Sequence, residues 1–209
     1  MSSPGSDPKP SSGTTLPRRR GRPQQFNAQD GVAIAARLFH RAGYEGVSVA
    51  DLTQALKINP PSLYAAYGSK LGLFERAIRA YAADELAQVQ QALRAERSAA
   101  EALGGLLETA AIRYSSRPAT PGCMIATALQ SHDDAARGIA VTLTRQNEAL
   151  LEEYLWPSAS PGKARTIVQF VMQNLRGLSL NARLGYSSDD LVRSARIAAG
   201  AVSDLLETP

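Results

Sequence analysis

Apolar residues recur along most of this chain at intervals of three and four, the spacing that lines one face of an α-helix, and no segment shows strand-like alternation flanked by turn residues. Val32, Ala35, Ala36 and Phe39 begin the pattern, with Asn27 and Asp30 placed as an N-cap and its reciprocal partner and Gly43 as the stop. Ser48 and Asp51 repeat the capping-box spacing ahead of Val49, Leu52 and Leu56, which predicts a short second helix. Asn59 is a strong N-cap with Pro60 at the first helical position, where its missing N–H costs nothing, so a third short helix runs to about Gly68. Leu73, Phe74, Ala77, Ile78 and Tyr81 predict one or two helices from Ser69 to about Leu93, and Ser98 with Glu101 opens another that runs to about Tyr114. After the Pro- and Ser-rich loop 115–122, helices are expected at about 122–131, 135–155, 162–185 and 188–207. The fold class is all-α.

Two short helices separated by a few residues, the second opened by a rigid cap and carrying few charges, fit a helix-turn-helix. Leu52, Ala55, Ile58 and Leu63 are placed to pack the pair together and against Phe39, which leaves Pro61, Ser62, Tyr64 and Ala65 facing outward. A helical hairpin at the edge of a bundle is the alternative, and it would carry charges on that outward face.

Charge sharpens the picture through its placement. Residues 1–84 hold 11 Lys/Arg against 6 Asp/Glu, and the remainder holds 12 against 13. The excess points to a polyanion partner for the first part of the chain, unless the PRRRGRP run (Arg18, Arg19, Arg20, Arg22) is only a solvated tail. Residues 1–24 have almost nothing to bury and are expected to be a disordered basic arm. Cys123 stands alone with His40 and His132, so neither a disulfide framework nor a zinc cluster is expected. No apolar run is long enough for a membrane span and no secretory signal is present, which places the chain in the cytoplasm. The nucleophile elbow G-x-S-x-G, phosphate-binding loops and H-E-x-x-H are all lacking, so neither enzymatic activity nor a cofactor is expected.

The segment VSVADLTQALKINPPSLYAAYGSKLGLFERAI, with its Ser48/Asp51 start, Leu63-Tyr64 pair and Tyr67-Gly68-Ser69-Lys70 lead into Leu73-Phe74, resembles the DNA-binding domain of the TetR family of bacterial transcriptional regulators, over residues 22 to about 81. Two positions depart from the family pattern. Lys57 stands where the turn usually has Gly, so it must adopt φ > 0 at a cost of about 1 kcal/mol unless the turn differs, and from there it can reach a phosphate. Tyr67 replaces the commoner Phe and adds a hydroxyl expected to face the DNA backbone or water.

The resemblance implies a homodimer with an N-terminal helix-turn-helix and a C-terminal helical domain that binds a small molecule and dimerises through its last two long helices. It divides the chain into the arm 1–24, a DNA-binding domain 25–81 and an effector and dimerisation domain 82–209. The two third helices would enter successive major grooves of a pseudo-palindromic operator. Phosphate contacts are expected from Ser48, Tyr64, Lys70 and Lys57, base contacts from Pro60, Pro61, Ser62 and Ala65, and minor-groove contacts from the arm arginines. Val171, Leu175 and Leu178, with Gly177 allowing close approach, and Leu191, Ala195, Ala198, Val202 and Leu205 are candidate dimer stripes, unless they pack within one subunit. Tyr114, Cys123, Met124, Thr127, His132 and Trp156 are candidate effector contacts, each of which can equally be core. Cys123 follows Pro121-Gly122 at an expected helix start, where a thiolate is favoured, and a buried inert thiol is the other reading. Ligand-released repression is the function expected. The alternatives are a constitutive or architectural DNA-binding dimer, and an activator.

Overall fold

Capping residues decide where most of the helices begin. The computed structural model describes residues 27–94 and 98–208, and among these it holds nine α-helices and no strand. The arm arginines Arg18, Arg19, Arg20 and Arg22 lie outside the described residues. The first helix, α1 (Ala28–Ala42), starts at Asn27, whose side chain accepts from the Gln29 N–H and not from the Asp30 N–H that a capping box requires. Helix α2 (Val49–Leu56) has the full Ser48/Asp51 box, and α3 (Pro60–Tyr67) has Asn59 accepting from the Ser62 N–H.

Helix α4 (Lys70–Arg94) is a single 25-residue rod, about 37 Å long at 1.5 Å per residue, so the boundary expected between residues 81 and 82 falls inside an unbroken helix. Its first turns bury Leu73, Phe74, Ala77 and Ile78, and the Phe74 ring meets Phe39 edge-on at 5.1 Å and Tyr44 at 5.0 Å. Leu52, Leu63 and Tyr67 close the same core. Ala55 and Ile58 are only partly buried.

The remaining helices are α5 (Ala99–Ser115), α6 (Met124–Ala128), α7 (Asp134–Leu155), α8 (Pro161–Arg183) and α9 (Ser188–Glu207). Helix α6 has five residues where ten were expected, because the chain turns again at 129–130 before α7. Helices α5 and α9 pack face to face through small residues, and a Cβ built on Gly104 would lie 3.0 Å from the Ala199 methyl. No helix among the described residues is long and apolar enough to cross a membrane.

The stripes expected at a dimer interface lie inside the subunit. Val171, Leu178, Leu191, Ala195, Ala198 and Val202 are buried in the single chain, Leu205 is packed against that core, and Leu175 faces a cavity. The strongest apolar face of each helix goes to the core of its own chain, which is always at hand. The faces left to solvent carry Gln173, Gly177 and Leu180 on α8 with Leu184 at its C-cap, and Arg193, Ile197, Gly200 and Asp204 on α9, again at 4-3-4 spacing. Ile197 is 72% exposed and Leu184 67%.

Candidate nucleic-acid interface and ligand pocket

Pro60, Pro61, Ser62, Tyr64 and Ala65 are all exposed on α3, while Leu63 and Tyr67 anchor its other side. The outward face carries no charged side chain, so direct reading of guanine or adenine by a bidentate Arg, Asn or Gln is not available from it. Around it, Ser48 is exposed, but its hydroxyl donates to the Asp51 carboxylate at 2.6 Å and its N–H donates to the same oxygen at 2.8 Å. The Lys70 ammonium sits 4.2 Å over the Tyr44 ring, and partial burial lowers its pKa. The Tyr67 hydroxyl faces neither DNA nor water: it donates to the Ala28 carbonyl at 2.8 Å and ties α3 to the start of α1.

Lys57 has φ 55° and ψ 40°, the sole non-glycine in the left-handed region among the described residues. Its N–H closes the end of α2 by reaching the Gln54 and Thr53 carbonyls. The side chain is exposed. Lys57→Gly is expected to raise stability by about 0.5–1 kcal/mol, relief of strain being partly offset by a freer unfolded chain, with a melting temperature about 2 °C higher. The same variant removes an exposed positive charge beside α3, and the slope of log affinity against log salt on DNA is expected to fall by about one.

Behind this head, a cavity of about 90 Å³ opens between α4, α5, α7 and α8. Leu106, Ile125, Leu129, Leu151, Met172 and Leu175 form its apolar wall. At the other end the Arg113 guanidinium is paired with the Glu85 carboxylate and donates to Gln88 at 2.7 Å. Burial holds the Glu85 carboxyl above its ordinary pKa, against the downward pull of Arg113. Of the expected effector contacts, Tyr114 and Cys123 line this cavity. Met124 is core, Thr127 and His132 line a separate surface depression near Arg183, and Trp156 is 61% exposed at the end of α7.

Cys123 does occupy the N-cap position of α6, yet the thiolate expected there is not favoured. Burial raises its pKa, and a five-residue helix offers too little dipole to compensate, so the thiol stays protonated.

Three contacts fasten the head to the helices that form the cavity. The buried His40 ring on α1 places Nε2 3.1 Å from the Gly122 carbonyl, and the neighbouring residue Cys123 lines the cavity. The carbonyl can only accept, so the neutral ring carries its proton on Nε2. Gly122 has φ 79°, and a Cβ there would lie 2.7 Å from the Ser179 carbonyl oxygen, so this peptide is wedged against α8. From α8, the Arg183 guanidinium donates to the His40 and Arg41 carbonyls at 3.2 and 3.3 Å. Below α1, one Glu45 carboxylate oxygen accepts from the Ser131 hydroxyl and from the N–H groups of His132 and Asp133, which pulls its pKa down to about 2.

Burial drives the His40 pKa from 6.5 down to about 4. The unfolded chain therefore binds the proton more tightly, and stability is lost as pH falls from 6.5 toward 4. Between pH 7 and 5 the loss is about 2 kcal/mol, and denaturant titrations of the wild type and of His40→Asn at the two pH values are expected to show it only in the wild type.

Sequence reading missed Glu85 and Arg113, although a signal was there. Phe74, Ile78, Tyr81 and Glu85 share one 4-3-4 stripe on α4, and Leu103, Leu106, Ala110 and Arg113 a 3-4-3 stripe on α5. A charge at the end of an apolar stripe marks a buried ion pair or a polar pocket. No cluster of three or more His, Cys, Asp or Glu suited to a metal is present among the described residues.

Comparison with known proteins agrees with this geometry. The family of bacterial regulatory proteins, tetR family, matches residues 32–77. The chain is 39% identical to the HTH-type transcriptional repressor BdcR of Escherichia coli K12 over 90% of its own length and 94% of that protein. It is 29% identical to the HTH-type transcriptional repressor ComR of the same organism, over 85% and 90%. Among solved structures, a cysteine mutant of the TetR family transcriptional regulator CifR, complexed with 26-base-pair operator DNA, superposes with a TM-score of 0.78 at 29% identity, covering 87% of this chain and 99% of that one.

Proposed function

The chain belongs to the tetR family of bacterial regulatory proteins and is a DNA-binding transcriptional regulator; on that premise we propose that it is a dimeric repressor, acting in the cytoplasm, which a small molecule in the α4–α8 cavity releases from its operator. Each α3 enters a major groove with Pro60, Pro61, Ser62 and Ala65 toward the bases and Tyr64, Lys57 and Lys70 toward phosphates. The free N–H groups at the starts of α2 and α4 add phosphate contacts, whereas the Ser48 hydroxyl is already engaged by Asp51. The basic arm supplies the remaining positive charge. Dimerisation uses the exposed faces of α8 and α9 that carry Leu180, Leu184 and Ile197, in place of the buried stripes.

The observation that carries ligand control is the Gly122–Cys123 peptide, which forms cavity wall on one side and holds His40 of α1 on the other. A ligand that displaces the Tyr114–Cys123 wall displaces the carbonyl on which α1 rests, and the two α3 helices then lose the spacing their half-sites require. Taking the population from roughly 1:99 to 99:1 demands about 5.5 kcal/mol of differential affinity between the two arrangements.

The test is binding of purified protein to duplexes tiled across the upstream region of its own gene, at several salt concentrations with excess nonspecific DNA. One duplex bound far more tightly than the rest supports the reading and supplies the operator. Uniform binding with a steep salt dependence overturns repression at that locus.

A further inference from the structure

The cavity has two unlike ends, and their chemistry limits what can occupy it. Three full charges line the cavity and each already has a partner: Glu85 and Arg113 have each other, and Arg176 has Glu148 at 2.9 Å. A carboxylate placed at the polar end would lie against Glu85 and an ammonium against Arg113. Either would be stripped of water without a free counter-ion.

Hydrogen-bonding capacity is distributed differently. The Tyr81 hydroxyl is engaged by the Glu85 carboxylate, and Arg113 is committed to Glu85 and Gln88. Tyr114, only 5% exposed, has as its side-chain hydrogen-bonding neighbour the thiol of Cys123. A thiol is a weak donor and a weak acceptor, so the phenolic O–H retains most of its donor strength for a molecule in the cavity that both residues line. Most of the remaining lining is hydrocarbon, from Leu106, Ile125, Leu151 and Met172; of the other polar side chains that line it, Thr144 donates its hydroxyl to the Ala140 carbonyl at 2.9 Å, Arg176 is paired with Glu148 at 2.9 Å, Thr109 is exposed and Asn147 is half-buried.

Size adds a third limit. About 90 Å³ is less than the roughly 150 Å³ of an apolar cavity that holds benzene. A ring can enter only by pushing the walls apart, and one of those walls is the Tyr114–Cys123 side that continues into the His40 contact. A ligand of that size thus binds an expanded arrangement better than the present one, which is the differential affinity that release from DNA requires.

We propose that the cavity takes an uncharged molecule about one ring in size, hydrocarbon over most of its surface, with a single oxygen acceptor that receives the Tyr114 hydroxyl hydrogen. The assignment rests on the reading of this cavity as the effector site.

Four probes that share a six-carbon ring test it on the full-length protein: cyclohexanone, methylcyclohexane, cyclohexanecarboxylate and cyclohexylammonium. Affinity is read from the shift in melting temperature with probe concentration, and release from the loss of fluorescence anisotropy of a labelled operator duplex. Cyclohexanone is expected to bind best, methylcyclohexane about tenfold more weakly, and the two ions about a hundredfold more weakly or not at all. Tyr114→Phe should lower the ketone to the level of the hydrocarbon and leave the hydrocarbon unchanged. Ala110→Leu, which fills the cavity from α5, should abolish binding of every probe, and retained operator binding shows that each variant is folded.

Tightest binding by the carboxylate or the ammonium, lost in Ala110→Leu, overturns the chemical class and keeps the cavity as the effector site. Probe binding that survives Ala110→Leu places the effector elsewhere and overturns both readings. Failure of all four probes to bind the wild type overturns the class. An undiminished ketone preference in Tyr114→Phe removes the acceptor contact.

Discussion

Ile197→Asp is expected to convert the dimer to a folded monomer and to lower operator affinity by about three orders of magnitude. Ile197 is the most exposed large apolar side chain among the described residues, so the monomer loses almost nothing when it becomes polar. In a twofold dimer each subunit contributes the same residue, so one substitution removes two apolar contacts worth about 2 kcal/mol each. A carboxylate in its place is also desolvated against the apolar surface it meets across the interface. A monomer holds one half-site and forfeits the second, which then no longer benefits from being tethered. Sedimentation velocity gives the assembly state, and titration of a labelled operator gives the affinity. A variant that remains dimeric with wild-type affinity would place the interface on another surface.

The second large effect is expected from Tyr64→Ala. Its ring stands 48% exposed on α3, between the buried anchors Leu63 and Tyr67, and touches no part of the core that the helix depends on. Stability should change by less than about 0.5 kcal/mol. Operator affinity should fall by about 1–2 kcal/mol per half-site, roughly 30- to 1000-fold for the dimer, because the contact occurs twice. Tyr64 bears no charge, so the salt slope should stay at its wild-type value, in contrast to Lys57→Gly. Leu63→Ala provides the structural counterpart. That side chain is fully buried, and its removal should cost about 2–5 kcal/mol of stability, with DNA binding lost through unfolding of the helix pair. Equal operator affinity in Tyr64→Ala and wild type would remove Tyr64 from the interface.

Much of the local structure was legible from residues a few positions apart. The Ser48–Asp51 and Ser98–Glu101 boxes and the Asn59 cap with Pro60 each join atoms within one helical turn, so spacing alone locates them. The left-handed Lys57 was legible only through the resemblance, because the family usually has Gly at that position of the turn. The Asn27 cap was found but its bond was misplaced by one residue, because an Asn side chain reaches either of two neighbouring N–H groups and local packing chooses.

Contacts between distant segments were not legible. The Tyr67 hydroxyl meets a carbonyl 39 residues away, Arg113 meets Glu85 across 28, and His40 meets Gly122 across 82. No periodicity encodes such pairs.

By itself the sequence determined an all-helical chain, the start points of its capped helices and the exposed face of α3, because caps, stripes and turns are set by neighbours within a few residues; the family entered through a resemblance of motifs. The tertiary structure alone decided that the strongest stripes of α8 and α9 serve the subunit's own core, that Cys123 is buried and protonated, and that Glu85, Arg113 and Tyr114 share one cavity. The physical reason is that amphipathicity states which side of a helix avoids water, while the element that covers that side is chosen by packing across the whole chain.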